Sequence, residues 1–187
     1  MANRNTQGFG LVPAGTLGST PATSGTGKYK IDAGYATTIF QGGAVSSSAG
    51  YIVEGQGTAD NPMVGVLNGI FYNAATTLKP TFSNHYVQVT PANSEDIDAF
   101  VFDNPQQQYV VATDAAVAQS GFLETYDMNT SAGSTTTGKS SATLDIDDTS
   151  ADAAAFRLLR SAEDPENDEN ASFRSVVVCL NLIELQS

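Results

Sequence analysis

The chain is poor in the side chains that do chemistry. It carries one histidine, one cysteine and no tryptophan, and only 8 lysines and arginines against 20 aspartates and glutamates. A lone cysteine excludes a disulfide within the chain, and Cys179, set in the apolar run 176–185, reads as a buried small hydrophobe. A lone histidine, His85, with no second histidine or cysteine near it in sequence, reads as a structural or surface side chain rather than a ligand or base. The shortage of positive charge leaves a formal net charge of -12, a field that repels phosphate and so disfavours nucleic acid and anionic membranes while attracting basic protein surfaces. No window approaches the length of a membrane span, and the first residues lack the apolar core of a secretory signal, so a soluble protein made in a cytoplasm is expected.

What is present is the punctuation of a small all-β body. Short β-branched and aromatic runs at 35–40, 51–54, 64–72, 85–90, 100–102 and 109–111 are each closed by Gly, Pro, Asn or Asp. With 187 residues the chain suits one domain, or one domain plus an arm, and can bury roughly two thirds of its unfolded surface. The reading is a single β-barrel or β-sandwich over 28–187, preceded by an extended N-terminal arm over 1–27. That arm holds six Gly and two Pro among Thr, Ser and Asn, with Phe9, Leu11, Val12 and Leu17 as isolated apolar points. Its composition fits either a segment ordered in a groove on a neighbour or a plain disordered tail.

Within the body, Asp32, Ala33 and Gly34 predict a turn and 46–50 a loop. Gly65 and Gly69 inside an apolar run predict a bulge or a close backbone approach. The period-two alternation at 85–89 predicts a half-buried strand. A helical turn or two is expected at 115–123, and the Ser/Thr/Gly tract at about 128–143 reads as a mobile loop. Residues 150–160 have helix propensity, yet a strand at 156–160 paired with a returning strand from 173 onward is preferred, because adjacent strands satisfy each other's backbone groups and the apolar run 176–182 reads as central in a sheet.

Three patterns invite a chemical reading. Residues 133–140 satisfy the P-loop pattern, with Gly133, Gly138, Lys139 and Ser140 in place. A working phosphate cradle sits between a buried strand and a helix N-terminus, whereas this match follows a polar tract and leads into strand-like alternation, so it is read as a chance match. The acidic clusters Asp145, Asp147, Asp148 and Glu95, Asp96, Asp98 lack the spaced loop and closing glutamate of a calcium site and read as solvated turns. The run 163–169 is likewise a solvated acidic loop, with a basic partner surface as the sharper alternative. No Gly-x-Ser-x-Gly elbow occurs. The residues therefore nominate no catalytic group, no cofactor site and no metal site.

The order of segments resembles the head decoration or cement-type virion proteins of tailed bacteriophages. The matching pieces are Met1, Ala2, Asn3, Arg4 and Asn5 with Gly8, Phe9, Gly10, Leu11 and Pro13, then Tyr29, Lys30, Ile31 and Asp32 leading to 38–45. They continue through 65–69, Asp103, Asn104 and Pro105 before Tyr109, Val110 and Val111, then 137–140 running to Leu144 and Asp145. Phe156, Arg157, Leu158 and Leu159, then Asp164, Pro165, Glu166 and Asn167, precede the terminal apolar run. The resemblance implies a non-enzymatic protein without cofactors, bound to the outer surface of a major capsid protein lattice on the virion. It also implies association with further copies of itself, as a trimer. Phe9, Leu11, Val12 and Leu17 become the expected capsid-binding residues. The alternative keeps the β body but makes it a tail or head-surface virion protein that binds a host receptor or glycan.

Overall fold

The computed structural model describes residues 5–18, 25–58, 60–130, 133–147, 154–163 and 165–181. Residues 1–4 and 19–24 of the expected arm, Ala59, residues 131–132 of the expected mobile loop, residues 148–153, Asp164 and residues 182–187 lie outside them. All regular structure among the described residues is β, apart from two single 3₁₀ turns at Ala92–Ser94 and Gln119–Gly121.

The strands in chain order are β1 (Val12–Thr16), β2 (Gly27–Ile31), β3 (Ala44–Ser48), β4 (Tyr51–Glu54), β5 (Gly65–Asn73), β6 (Pro80–Ser83) and β7 (Ile97–Phe102). They continue with β8 (Gln107–Ala112), β9 (Thr125–Tyr126), β10 (Met128–Asn129), β11 (Thr143–Leu144), β12 (Phe156–Ser161) and β13 (Ser175–Leu180). One antiparallel sheet has the order β1-β8-β13-β12-β9. A second has the order β2-β7-β5-β3-β4, with β6 added beside the C-terminal half of β5, and β10 and β11 form a small third sheet. All three are open, as in a β-sandwich.

Alternation along β5 and β7 explains the layering. Val66 turns toward the first sheet and joins a core with Tyr109, Val111, Phe156, Leu158, Val176 and Val178, whereas Leu67 turns to the opposite face and packs with Val45, Ile52, Ile97, Ala99 and Val101. That opposite face is closed by irregular chain. Ile39 and Tyr86 exchange backbone hydrogen bonds at 3.0 and 2.8 Å, and the Tyr86 hydroxyl donates to the Tyr35 carbonyl. The second sheet is thus apolar on both faces, and burying a side chain such as Leu67 contributes about 1.5–3 kcal/mol.

Several expectations are corrected here. Residues 35–40 and 85–89 are not strands; each contributes one bridging residue, and Tyr86 is buried while Val87 and Gln88 are exposed. These segments cover the sheet rather than extend it, so the alternation is local. The predicted loop at 46–50 is instead the hairpin of β3 and β4, closed at Ala49 and Gly50, both with positive φ. Its serines obscured the strand, although Ser46 is buried and donates to the Pro62 carbonyl. The helical turns expected at 115–123 reduce to the 3₁₀ turn Gln119–Gly121.

The strand reading of 156–160 holds. Phe156 and Leu158 are fully buried, with Arg157 exposed between them, and β12 lies between β13 and β9. Two ladders of backbone hydrogen bonds outweigh the modest helix propensity of this segment. β13, buried at every position, is central as expected. Cys179 is buried, and its thiol is held above the usual range by that burial.

Candidate functional site: the groove beside the N-terminal segment

The N-terminal segment is part of its own body. β1 adds to the free edge of β8 in the register Val12 to Val110 and Thr16 to Gln107, with a shift between Pro13 and Gly15. Upstream of β1, the Gly10 amide donates to the Ala142 carbonyl at 3.1 Å and the Leu11 amide to the Gly42 carbonyl at 2.8 Å. Glycine is required at this crossing. Gly10 has φ +73°, and a Cβ there would lie 2.8 Å from the Gly42 carbonyl oxygen. The described part of the segment is therefore paired to its own body, because the β8 edge beside it supplies partners for its backbone.

This placement sorts the four expected contact residues. Leu11 is 1% exposed and belongs to the inter-sheet core, so it anchors the segment and does not face outward. Val12 is 47% exposed, Leu17 is exposed near the other end of β1, and Phe9 is half-buried. Phe9, Leu11 and Val12 come together with Pro13 along one wall of a groove of about 390 Å³. Leu17 lies apart from it.

The opposite wall comes from the second sheet and its connections. Leu67 and Asn68 of β5, Phe102 of β7, Gln41 with Gly42, and Lys139 complete the lining. Asn68 faces the groove because β5 bulges there: Leu67 pairs with Val101 and Gly69 with Phe100, leaving Asn68 as the extra residue. The Gln41 Nε2 donates to the Asn68 carbonyl at 3.1 Å. Phe102 is positioned by the turn that carries the chain from one sheet to the other, where the Gln106 amide donates to the Asn104 side chain at 2.9 Å and the Tyr109 hydroxyl to the Phe102 carbonyl at 3.1 Å.

Lys139 arrives from the P-loop-like tract, whose described part is hydrogen-bonded to the body. The Gln41 amide donates to the Gly138 carbonyl at 2.9 Å, the Ser140 amide to the Gln41 carbonyl at 2.9 Å, and the Asn84 side chain to the Thr137 carbonyl at 2.8 Å. Residues 135–138 form a turn between Ser134 and Lys139, and the chain then enters β11. No helix follows to present free amides, so the geometry of a phosphate cradle is missing.

Sequence reasoning missed Pro13, Gln41, Asn68, Phe102 and Lys139. The glycine pair Gly65 and Gly69 was the available signal, since it marked the bulge that exposes Asn68. Asp98, read from the sequence as part of a solvated acidic turn, lies instead within β7 as a 13% exposed carboxylate held between the Lys28 and Lys30 ammonium groups, each at 2.7 Å. Burial pushes the Asp98 carboxyl up, but the hydrogen bonds from Lys28 and Lys30 outweigh it and hold the group below the usual range. On a neighbouring strand, burial and a 2.7 Å hydrogen bond to Asp103 push the Tyr29 phenol up to about 12. His85 stacks on Phe40 at 6.0 Å between ring centres, with its Nδ1 2.9 Å from the Asn84 Oδ1. No cluster of three or more His, Cys, Asp or Glu side chains able to hold a metal ion occurs among the described residues.

The lining combines apolar side chains, two amides and one ammonium group, with no nucleophile paired to a base. Such a site suits adhesion to an apolar protein segment. Comparisons with protein family models, with curated proteins and with solved structures find no match.

Proposed function

We propose that this chain is a virion structural protein of a tailed bacteriophage, of the head decoration or cement type, which binds the outer surface of the major capsid protein lattice and stabilises the head. The observation that carries the reading is the groove beside β1. It holds Phe9 and Val12 as accessible apolar side chains on a wall fixed by Leu11 and by backbone pairing to β8. A contact surface that is already ordered meets little of the entropy cost that a loose arm would incur on docking.

The remaining features support the same reading. The acidic surface suits a basic partner face and resists association with nucleic acid. Many weak, symmetry-repeated contacts become a strong attachment through effective concentration, and self-association of the chain as a trimer multiplies them. On this reading the protein clamps neighbouring capsid subunits from outside and transforms no substrate.

The test is binding of the purified full chain to capsids lacking it. Saturable co-sedimentation and a higher capsid melting temperature are expected. Attachment to tails alone, or no rise in capsid melting temperature at saturation, overturns the proposal.

A further inference from the structure

Beyond the groove, the part of the second sheet around β6 carries an aromatic row. Phe71 and Phe82 are direct cross-strand partners with ring centres 4.9 Å apart, and Phe82 and Phe100 lie near-parallel with centres 5.9 Å apart. Phe82 is 73% exposed, the most exposed large apolar side chain among the described residues. Phe82 and Phe100 sit on β6 and β7, on either side of β5, and Gly69 lies between them in register with Phe100. A Cβ at Gly69 would approach the Ser83 carbonyl oxygen to 2.9 Å.

These two rings border a shallow hollow of about 510 Å³ whose other walls include Gln41, Asn68, Ser83 and Asn84. That volume falls within the range of small-molecule sites. No charged side chain lines it, in a chain with 28 lysines, arginines, aspartates and glutamates (8 plus 20). Lys28, opposite Phe100 in register, is paired with Asp98.

The amides are held by the fold. The Gln41 Nε2 is fixed on the Asn68 carbonyl and the Asn84 Nδ2 on the Thr137 carbonyl, at 3.1 and 2.8 Å. The β-bulge turns Asn68 toward the hollow, and its Oδ1 accepts from the Gln41 Nε2 at 3.4 Å.

We propose that this hollow is a carbohydrate-binding subsite that takes one neutral pyranose unit of a glycan. The chemistry of the lining selects that ligand. The C–H face of a pyranose is attracted to the negative π face of a ring such as Phe82, while a side-chain amide offers donor and acceptor together to neighbouring sugar hydroxyls. An uncharged lining offers no countercharge to a phosphate, a uronate or a basic peptide, each of which would lose hydration there without a partner. This subsite shares Gln41 and Asn68 with the groove beside β1 but does not depend on capsid binding, so the two proposals fail separately.

The test is a ¹⁵N NMR titration of the full chain with the methyl glycosides of glucose, galactose, mannose, N-acetylglucosamine and N-acetylgalactosamine, with methyl glucuronide as the charged control. Saturable shifts are expected at the amides of Asn68, Gly69, Phe82, Asn84 and Phe100 with at least one neutral glycoside, and weaker ones with the glucuronide. Phe82→Ala should weaken that binding roughly tenfold. Phe82→Leu, which keeps apolar bulk but removes the ring, should do the same and carries the test if the alanine variant melts early. The proposal is overturned if no neutral glycoside shifts these amides, or if binding survives unchanged in both Phe82 variants.

Discussion

The side chain of Asn167 pairs with both backbone groups of Ser175: its Nδ2 donates to the Ser175 carbonyl at 2.8 Å, and its Oδ1 accepts from the Ser175 amide at 2.9 Å. Asn167 thereby substitutes for a strand residue at the start of β13 and closes the acidic connection that follows β12. Arg174 reinforces the closure, reaching Glu169 at 3.3 Å and the Val117 carbonyl at 3.0 Å.

Asn167→Ala should therefore destabilise the protein by about 2 kcal/mol, since Ser175 is buried and its amide would lose its acceptor, while its carbonyl keeps only the Ala162 amide. For a domain of this size that lowers Tm by about 4–8 °C. Thermal unfolding followed by circular dichroism checks it, and an unchanged Tm would refute the role assigned to Asn167.

The N-terminal segment offers a pair of variants with opposite signatures. Leu11→Ala should cost about 2–5 kcal/mol, because it empties a fully buried site between the sheets. Val12→Ser, at a 47% exposed position, should change stability by less than about 0.5 kcal/mol. On the proposed function the second should weaken capsid binding without a matching loss of stability, at a temperature where both remain folded. Denaturation midpoints combined with capsid co-sedimentation separate the two effects.

Gly10→Ala should loosen the same segment without removing an apolar contact. Its positive φ and the nearby Gly42 carbonyl predict a loss of about 1–3 kcal/mol. Hydrogen exchange is expected to accelerate at Leu11 and in β1 well before it changes in β13.

Asp98 gives the chain an acid-sensitive element. Its folded-state pKa lies below the ordinary carboxylate value, so the folded protein binds that proton less readily than the unfolded chain. Its stabilising contribution is complete above a pH of about 4 and is lost as pH falls through the lowered folded-state value. Asp98→Asn should cost about 0.5–1 kcal/mol at neutral pH and flatten the acid limb of a stability-against-pH curve. Urea midpoints measured across that limb test both the sign and the window.

The all-β class was legible because β-branched runs and turn residues alternate along most of the chain. Strand β13 was legible for a second reason: an unbroken apolar run fits only a strand covered on both faces. The same cues failed at 85–89, where alternation marks a single buried tyrosine, and at 46–48, where serines hide a strand of which Ser46 is buried and Ser47 and Ser48 are exposed. Whether such segments pair depends on which edges are free, and that is a property of the assembled sheets. The candidate site was half legible. Phe9, Leu11 and Val12 stood out as apolar points in a polar segment, yet the inward direction of Leu11 follows from the β8 edge beside it. Asn68 was signalled only by the glycines that mark its bulge, and Phe82 carries no local signal, since it is displayed by a glycine on the adjacent strand.

Pro13 lies within β1, the outermost strand of its sheet, next to the register shift before Gly15. A proline offers no N–H, and the shift breaks the even spacing of the groups beside it, so this margin is a poor template for the addition of another strand. Copies held at high local concentration would then be kept from zipping together into fibres along it.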